Sequence, residues 1–414
     1  MKILLLNQAF APDVVSTAQH AADLAGELSR EHQVTVLASR RAYEDPRTRF
    51  PARESLHGAT ILRLACTGFG KASRIGRLAD SFSFLGSCCW KLLRSPRFDV
   101  VIAMTTPPLL SVVAAAFTAL KGGRLVLWMM DLNPDEAIAA GWLRADSLAA
   151  RVLARLLRFS LDRADRIIVL DRFMRDRIVA KGIKDRKISI IAPWSHDGDV
   201  RFDPQGRARF RARHGLEGRF VVMYSGNHSP CHPLDTLLEA AARLSGREDI
   251  VFCFAGGGTE AGKVERAARE RKLANIVRLP YQPRAELAAS LSSADLHVVV
   301  MGDRFVCIVH PCKVYNICAV GIPLLFIGPA ECHVSDALPA ALAGRWARIA
   351  RHGESDRVAR HILEATEERL APLGRPLCAA AARVAVRRLL PETASLVTGA
   401  GSANPRGAVA LPNA

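Results

Sequence analysis

Short apolar runs separated by longer amphipathic stretches recur along almost the whole chain, and the period of each stretch says what it forms. The runs Lys2–Asn7, Val34–Ala38, Thr60–Leu64, Asp99–Met104, Arg124–Trp128, Arg166–Leu170 and Lys187–Ile191 are rich in branched residues and bounded by turn signals. They read as buried strands, with helices filling the gaps. Ser16 is placed to cap a helix running to about His32, so the chain opens with a βαβ unit. Regular patterning stops between Pro193 and Arg219, where Pro193, Gly198, Pro204, Gly206 and Gly215 accumulate as in a linker. It resumes with Phe220–Tyr224, Ile250–Ala255, Asn275–Leu279, Ala294–Val300 and Leu324–Ile327. The expected fold class is α/β: two doubly wound parallel-sheet domains, residues 1–196 and 205–372, facing one another across a cleft. Past Pro329 the signal weakens; Arg357–Leu370 and Pro376–Leu390 read as helices, the latter within a segment 375–392. Residues 398–414, rich in Gly, Pro, Ala and Asn, read as a disordered tail.

In such sheets ligands bind beyond the carboxyl ends of the strands, and several loops there carry chemistry. Between two expected strands lies His310-Pro-Cys-Lys-Val-Tyr-Asn-Ile-Cys-Ala-Val-Gly-Ile-Pro323. Pro311 suits the first position of a helix, where its missing N–H costs nothing. Lys313 and Asn316, three apart, then share a face. An ammonium and an amide near a helix N-terminus suit an anion and a hydroxylated ring; the plainer reading is a surface lysine and a cap-region asparagine. After Tyr224 comes Ser225-Gly226-Asn227-His228, small enough for backbone N–H groups to approach an oxygen-rich ligand. After Ala255, Gly256-Gly257-Gly258-Thr259-Glu260-Ala261 matches G-x-G-x-x-A, but the following strand ends Leu279-Pro280-Tyr281 without the acidic residue that would hold a dinucleotide ribose. In the first domain, Gln8–Asp13 with Ser16 and Thr17 faces the cleft, and Asp131 directly follows a strand. A carboxylate there can accept sugar hydroxyls or take a proton, or simply cap a helix.

Composition narrows the partners. The 414 residues carry a formal net charge of +17, which points to anionic partners. The excess is arginine scattered through helices, without an aromatic-interleaved basic stripe, so nucleic acid is set aside. Ten cysteines without a C-x-x-C pair read as a reduced, cytosolic protein. His228, Cys231, His232 and the pair Cys307, Cys312 lack a second ligand pair at metal-site spacing, so no metal is expected. Met1–Leu6 lacks the features of a signal peptide, and the longest apolar run, Leu109–Leu120, is well short of the ~20 residues that span a bilayer. The stretch Phe82–Leu93, flanked by Lys71, Arg74, Arg77, Lys91 and Arg94, has the make-up of an interfacial helix, or of one covering a sheet.

Together these motifs resemble the retaining GT-B glycosyltransferases of the GT4 family, in particular the branch that builds cell-surface polysaccharides from undecaprenyl-linked sugars. The resemblance runs to about Leu390. It rests on Asn7-Gln8 with Pro12-Asp13, Trp128–Pro134, Tyr224–Asn227 with Leu234–Ala240, Leu279–Pro283 and His310–Pro323. It implies two Rossmann-like domains, a nucleotide sugar held by the second, an acceptor by the first, last helices crossing back onto the first domain, retention of anomeric configuration without a metal, and no cofactor. Three departures stand out. The family's E-x7-E positions are Ile308 and Asn316; its basic pair is missing, with His228 and His232 nearby; its Gly-Gly loop is Val14-Val15.

The expected activity is therefore transfer of a sugar from a UDP- or GDP-sugar to a lipid-linked or polysaccharide acceptor, at the inner face of the cell membrane. Asp131 and Lys313 are the candidate catalytic residues. Ser225, Gly226, Asn227, His228, Gly257, Tyr281, Lys313 and Asn316 are the donor-site candidates, and Asp13, Ser16 and Thr17 those of the acceptor side. The alternatives are a nucleotide-sugar epimerase, which needs no acceptor, and a catalytically inactive GT-B partner protein.

Overall fold

The computed structural model describes residues 1–13, 15–43, 45–70, 74–194, 200–338, 344–370 and 385–399. The chain forms two compact units. Met1–Trp194, Cys307–His310 and the segment from Arg387 onward make the first; Ser195–Val306 and Pro311–Val386 make the second. The expected helix Pro376–Leu390 falls mostly, and the expected tail from Thr398 almost wholly, outside the described residues.

The first unit is built on β1 (Lys2–Leu6), β2 (Gln33–Ser39), β3 (Arg53–Leu56), β4 (Ala59–Leu64), β5 (Val100–Ala103), β6 (Arg124–Trp128), β7 (Arg166–Val169) and β8 (Ile188–Ile190). They lie in the order β3-β4-β2-β1-β5-β6-β7-β8 and are parallel except for β3 against β4. Its helices are α1 (Ser16–Leu28), α2 (Arg74–Leu93), α3 (Leu110–Lys121), α4 (Asp135–Ala139), α5 (Leu148–Arg163) and α6 (Arg172–Ala180). Central strands of a sheet covered on both faces must be apolar throughout; Ile3, Leu4, Leu5 and Leu6 accordingly have no exposure at all. The pattern missed β3, whose Arg-Glu-Ser-Leu carries no apolar run because it is an edge strand. A two-residue turn joins it to β4, with φ of 49° at His57 and 86° at Gly58, the positive pair that tight hairpins require.

The second unit contains β9 (Phe220–Ser225), β10 (Ile250–Ala255), β11 (Ile276–Leu279), β12 (Leu296–Val300), β13 (Leu324–Ile327) and β14 (Ala347–Ala350), in the order β11-β10-β9-β12-β13-β14 and parallel throughout. Its helices are α7 (Pro204–His214), α8 (Asp235–Arg243), α9 (Ala261–Glu270), α10 (Leu287–Ser292), α11 (Lys313–Val320), α12 (His333–Ala337) and α13 (Ser355–Glu368). A last helix, α14 (Val386–Thr398), belongs to the first unit from Arg387. One apolar cluster, with Phe252, Phe254 and Val298, fills one side of the sheet, and another, with Phe210, Met223 and Val251, the other side. Strand β14 also escaped the sequence pattern, because Arg348 interrupts it. That guanidinium is buried and pairs with Glu368 at 2.8 Å and the Arg345 carbonyl at 2.7 Å.

Both sheets reverse their winding beside the first strand, at β1/β5 and β9/β12, and a doubly wound sheet leaves its binding crevice at such a point. Two local expectations fail. Pro311 precedes α11 instead of opening it: Cys312 is the N-cap, and the first turn closes from Tyr315 N–H to the Cys312 carbonyl at 3.1 Å. Ser16 is likewise not a cap; extended Val15 is, its carbonyl taking the N–H groups of Ala18 and Gln19. Helix α1 stops at Leu28, where the Ser29 hydroxyl donates to the Ala25 carbonyl at 2.6 Å. No helix among the described residues is long and apolar enough to cross a membrane.

Candidate functional site

Strand β9 ends at Ser225, and the chain turns away at Gly226 with φ +137°, a conformation that L side chains rarely adopt. The loop that follows is zipped to the loop after β10. Gly226 N–H donates to the Ala255 carbonyl at 2.9 Å, His228 N–H to Gly257 at 2.8 Å, and Glu260 N–H to His228 at 2.9 Å. So close an approach tolerates no side chains: a Cβ on Gly256 would lie 2.1 Å from the Gly226 carbonyl oxygen, and one on Gly258 2.3 Å from Asn227 Oδ1. Tyr281, after β11, closes the group by donating its hydroxyl to the Gly257 carbonyl at 3.0 Å.

Lys313 opens α11 and reaches under these loops. Its Nζ donates to Tyr224 Oη at 2.9 Å, stands 4.0 Å from the centroid of that ring, and lies 3.0 Å from where a Cβ on Gly226 would be. Burial brings its pKa down to about 7, and no carboxylate among the described residues offsets that cost. His228 is 1% exposed, its ring edge-on to Tyr224 and set against the backbone of Gly257 and Gly226. Burial first, and then the Lys313 charge, lowers its pKa to about 4. Near neutral pH it is a neutral imidazole, able to give one N–H and to accept at the other ring nitrogen. His232, by contrast, is committed to the Val300 carbonyl at 2.8 Å. Asn316, three residues beyond Lys313, is half-buried. Ser225, Gly226, Asn227, His228, Gly257, Tyr281, Lys313 and Asn316 thus all lie in the second unit.

Asp13, Ser16, Thr17 and Asp131 lie in the first. Asp13 is buried and accepts Tyr43 N–H at 2.9 Å, which fixes its loop. Ser16 is exposed; its carbonyl meets His20 Nδ1 at 2.7 Å, and that ring packs against Trp194. Asp131 does not cap a helix. It forms an isolated antiparallel bridge with Val309, and the next residue, Leu132, donates its N–H to Ile308 at 3.1 Å. Burial, and secondarily Glu136, raises its pKa well above the usual carboxylate range, which favours the protonated form. Nearby Asp135 is the opposite case: Arg177 at 2.5 Å and Lys181 at 2.8 Å hold its carboxyl below the usual range although it is buried. Among the described residues Asp171 and His310 form a buried pair that the sequence did not suggest, Nδ1 to Oδ2 at 2.7 Å, while Asp171 also caps α6 through Met174 N–H.

The raised pKa has a checkable sign. A carboxyl whose folded pKa exceeds its unfolded value adds stability below the unfolded pKa and loses it as pH rises through the folded one. Wild-type melting temperature should therefore fall between pH 5 and 9 more than that of Asp131→Asn, and the asparagine variant should melt higher at pH 9, by a few degrees. Differential scanning fluorimetry across that range measures both; parallel curves would mean that Asp131 ionises normally.

Comparison with known proteins comes to the same two halves. Residues 17–194 match the family model described as glycosyl transferase 4-like domain, and residues 206–327 the one described as glycosyl transferases group 1. A probable glycosyltransferase WbjE from Pseudomonas aeruginosa is 29% identical over 56% of this chain, and the match spans 58% of that relative's length. The putative colanic acid biosynthesis glycosyl transferase WcaI of Escherichia coli is 25% identical over 78% of this chain and 82% of its own. Among solved structures, Anabaena HepE in complex with UDP and glucose superposes with a TM-score of 0.72 at 15% identity, over 96% of this chain and 100% of that one.

Proposed function

We propose, for a chain that belongs to the GT4-like glycosyltransferases and has the GT-B fold, that it moves a sugar from a nucleoside diphosphate sugar to a lipid-linked or polysaccharide acceptor in cell-surface polysaccharide synthesis. The observation that carries this reading is an ammonium without a carboxylate partner among the described residues, Lys313, beneath two glycine loops and beside the buried His228. Such a site is short of one negative ligand, and the diphosphate of a donor supplies it. The relatives' names support the pathway class, and HepE has been solved with UDP-glucose.

In this scheme the second unit holds the donor. The anion raises the pKa of Lys313, which takes up a proton and stabilises charge as the bond between the anomeric carbon and the diphosphate oxygen breaks. The acceptor oxygen bonds to that carbon on the same face, giving retention, and its proton leaves on the departing diphosphate. His228 gives an N–H to a donor oxygen, and Asn316 a hydrogen bond to a ribose hydroxyl. Asp131, protonated, bonds a sugar hydroxyl; Asp13, Ser16 and Thr17 border the acceptor. Lys313 supplies positive charge without a metal. Incubation of the enzyme with UDP- and GDP-sugars and a polyprenyl-linked acceptor tests the reading: labelled sugar should move to lipid with its anomeric configuration kept. One observation favours a second reading. Ile308 is buried and its carbonyl is taken by Leu132, so no acid stands at the first E-x7-E position. A partner protein that binds nucleotide sugar without turnover would show binding and no transfer.

Helix α2 supports contact with the membrane face where such acceptors reside. Ile75, Leu78, Phe82, Trp90 and Leu93 are exposed and, at about 100° per residue, fall along one side of the helix. Arg94 stacks on Trp90 at 3.2 Å, which sets a basic group at the edge of the apolar stripe, as at an anionic lipid surface. Leu78→Ser with Phe82→Ser should weaken binding to phosphatidylglycerol-containing vesicles about tenfold or more in sedimentation assays. Undiminished binding would remove α2 from the contact.

A further inference from the structure

Tyr224 lies just before the loop of donor-site candidates and was not one of them. Its ring is 1% exposed and packs with His228 and Phe254, which a phenylalanine would do equally well. The hydroxyl has a separate task. It donates to the Asn227 carbonyl at 2.6 Å and accepts from Lys313 Nζ at 2.9 Å. A phenol has one proton, so these two bonds have fixed directions: the proton goes to the carbonyl, and the lone pairs face the lysine. The hydroxyl therefore ties the first turn of α11 to the loop after β9 at the point where Gly226 leaves room for the ammonium.

We infer that Tyr224 is a positioning residue whose hydroxyl sets the place of the Lys313 ammonium for an incoming diphosphate. The inference rests on the nucleotide-sugar reading of this site. A carboxylate in the same place would hold the lysine more tightly but would cancel the charge that the ligand needs. A buried phenol, whose pKa burial pushes well up, anchors it and stays neutral. The ring face adds a cation–π contact at 4.0 Å. Lys313 Nζ has no other hydrogen-bond partner among the described residues, so loss of the hydroxyl frees the side chain to rotate away and leaves the Asn227 carbonyl without the bond it accepts from Tyr224.

The test is a double-mutant cycle read by binding of UDP and of GDP, calorimetrically where affinity permits and by ligand-observed NMR at millimolar ligand otherwise. Tyr224→Phe should weaken diphosphate binding by about 10- to 100-fold, the range for losing a hydrogen bond to a charged group. In the Lys313→Ala background the same substitution should have almost no effect, because it acts through the lysine. An equal loss in both backgrounds would make the hydroxyl a support of the loop alone and overturn the inference, as would full affinity in Tyr224→Phe. A wild-type protein that binds neither diphosphate would defeat the donor-site reading itself, a result distinct from an additive cycle.

Discussion

Lys313→Ala should lower kcat/KM for the nucleotide-sugar donor by about 100- to 1000-fold, the usual consequence of removing one preorganised donor from a site of developing negative charge. The loss should fall on kcat at least as much as on KM, since the diphosphate gains charge as the glycosidic bond breaks. Folding should be spared. The lysine is half-buried and held near pH 7 by desolvation, and a cation with a depressed pKa makes the folded state less stable below that pKa, not more. The alanine variant should therefore melt no lower than wild type at pH 6. A variant that kept full turnover with a labelled donor would end the role assigned to this side chain.

Gly256→Ala should be as damaging by a different route. Its φ of +131° belongs to a region almost restricted to glycine, which costs a side-chain-bearing residue about 1–3 kcal/mol. The new Cβ would also meet the Gly226 carbonyl oxygen at 2.1 Å, a backbone atom that cannot swing away. The loops after β9 and β10 would have to part, breaking the bonds from Gly226 to Ala255 and from His228 to Gly257. Urea denaturation should show a loss of about 2–4 kcal/mol, together with loss of diphosphate binding. Gly246→Ala is the control: open space surrounds it, and it should change stability by no more than about 0.5 kcal/mol. Equal behaviour of the two variants would contradict the loop geometry.

Much of this architecture was legible in the residues because buried parallel strands have no polar face to hide. The runs at β1, β9, β10 and β12 announce themselves as continuous apolar stretches, and the two alternations yield the fold class, although the stretch between them read as a linker, Pro193–Arg219, holds α7, capped by Asp203. Strands β3 and β14 were illegible for the converse reason: one is an edge strand with exposed arginine and glutamate, and the other buries an arginine whose partners lie elsewhere in the chain. At the candidate site the residue types were readable, but their states were not. Asp131 and Asp135 are both aspartates near one helix start, yet burial beside Glu136 raises the pKa of the first while Lys181 and Arg177 lower that of the second. The pairing of Asp171 with His310 joins positions 139 apart in sequence, beyond any local pattern. The Tyr224 hydroxyl looked like part of a strand end because only the fold reveals that Lys313 reaches it.

The most direct measurement is calorimetric titration of the protein with UDP, GDP, ADP and TDP at pH 8 in buffers of different ionisation enthalpy. Free Lys313, with a pKa of about 7, is mostly uncharged there, and a bound diphosphate should recharge it. One nucleoside diphosphate should therefore bind at a single site with uptake of about one proton, and Lys313→Ala should lose both the proton uptake and most of the affinity. A folded protein that binds none of the four, or binds one with no proton uptake and no dependence on Lys313, would contradict the assignment of this site to a nucleotide-sugar donor.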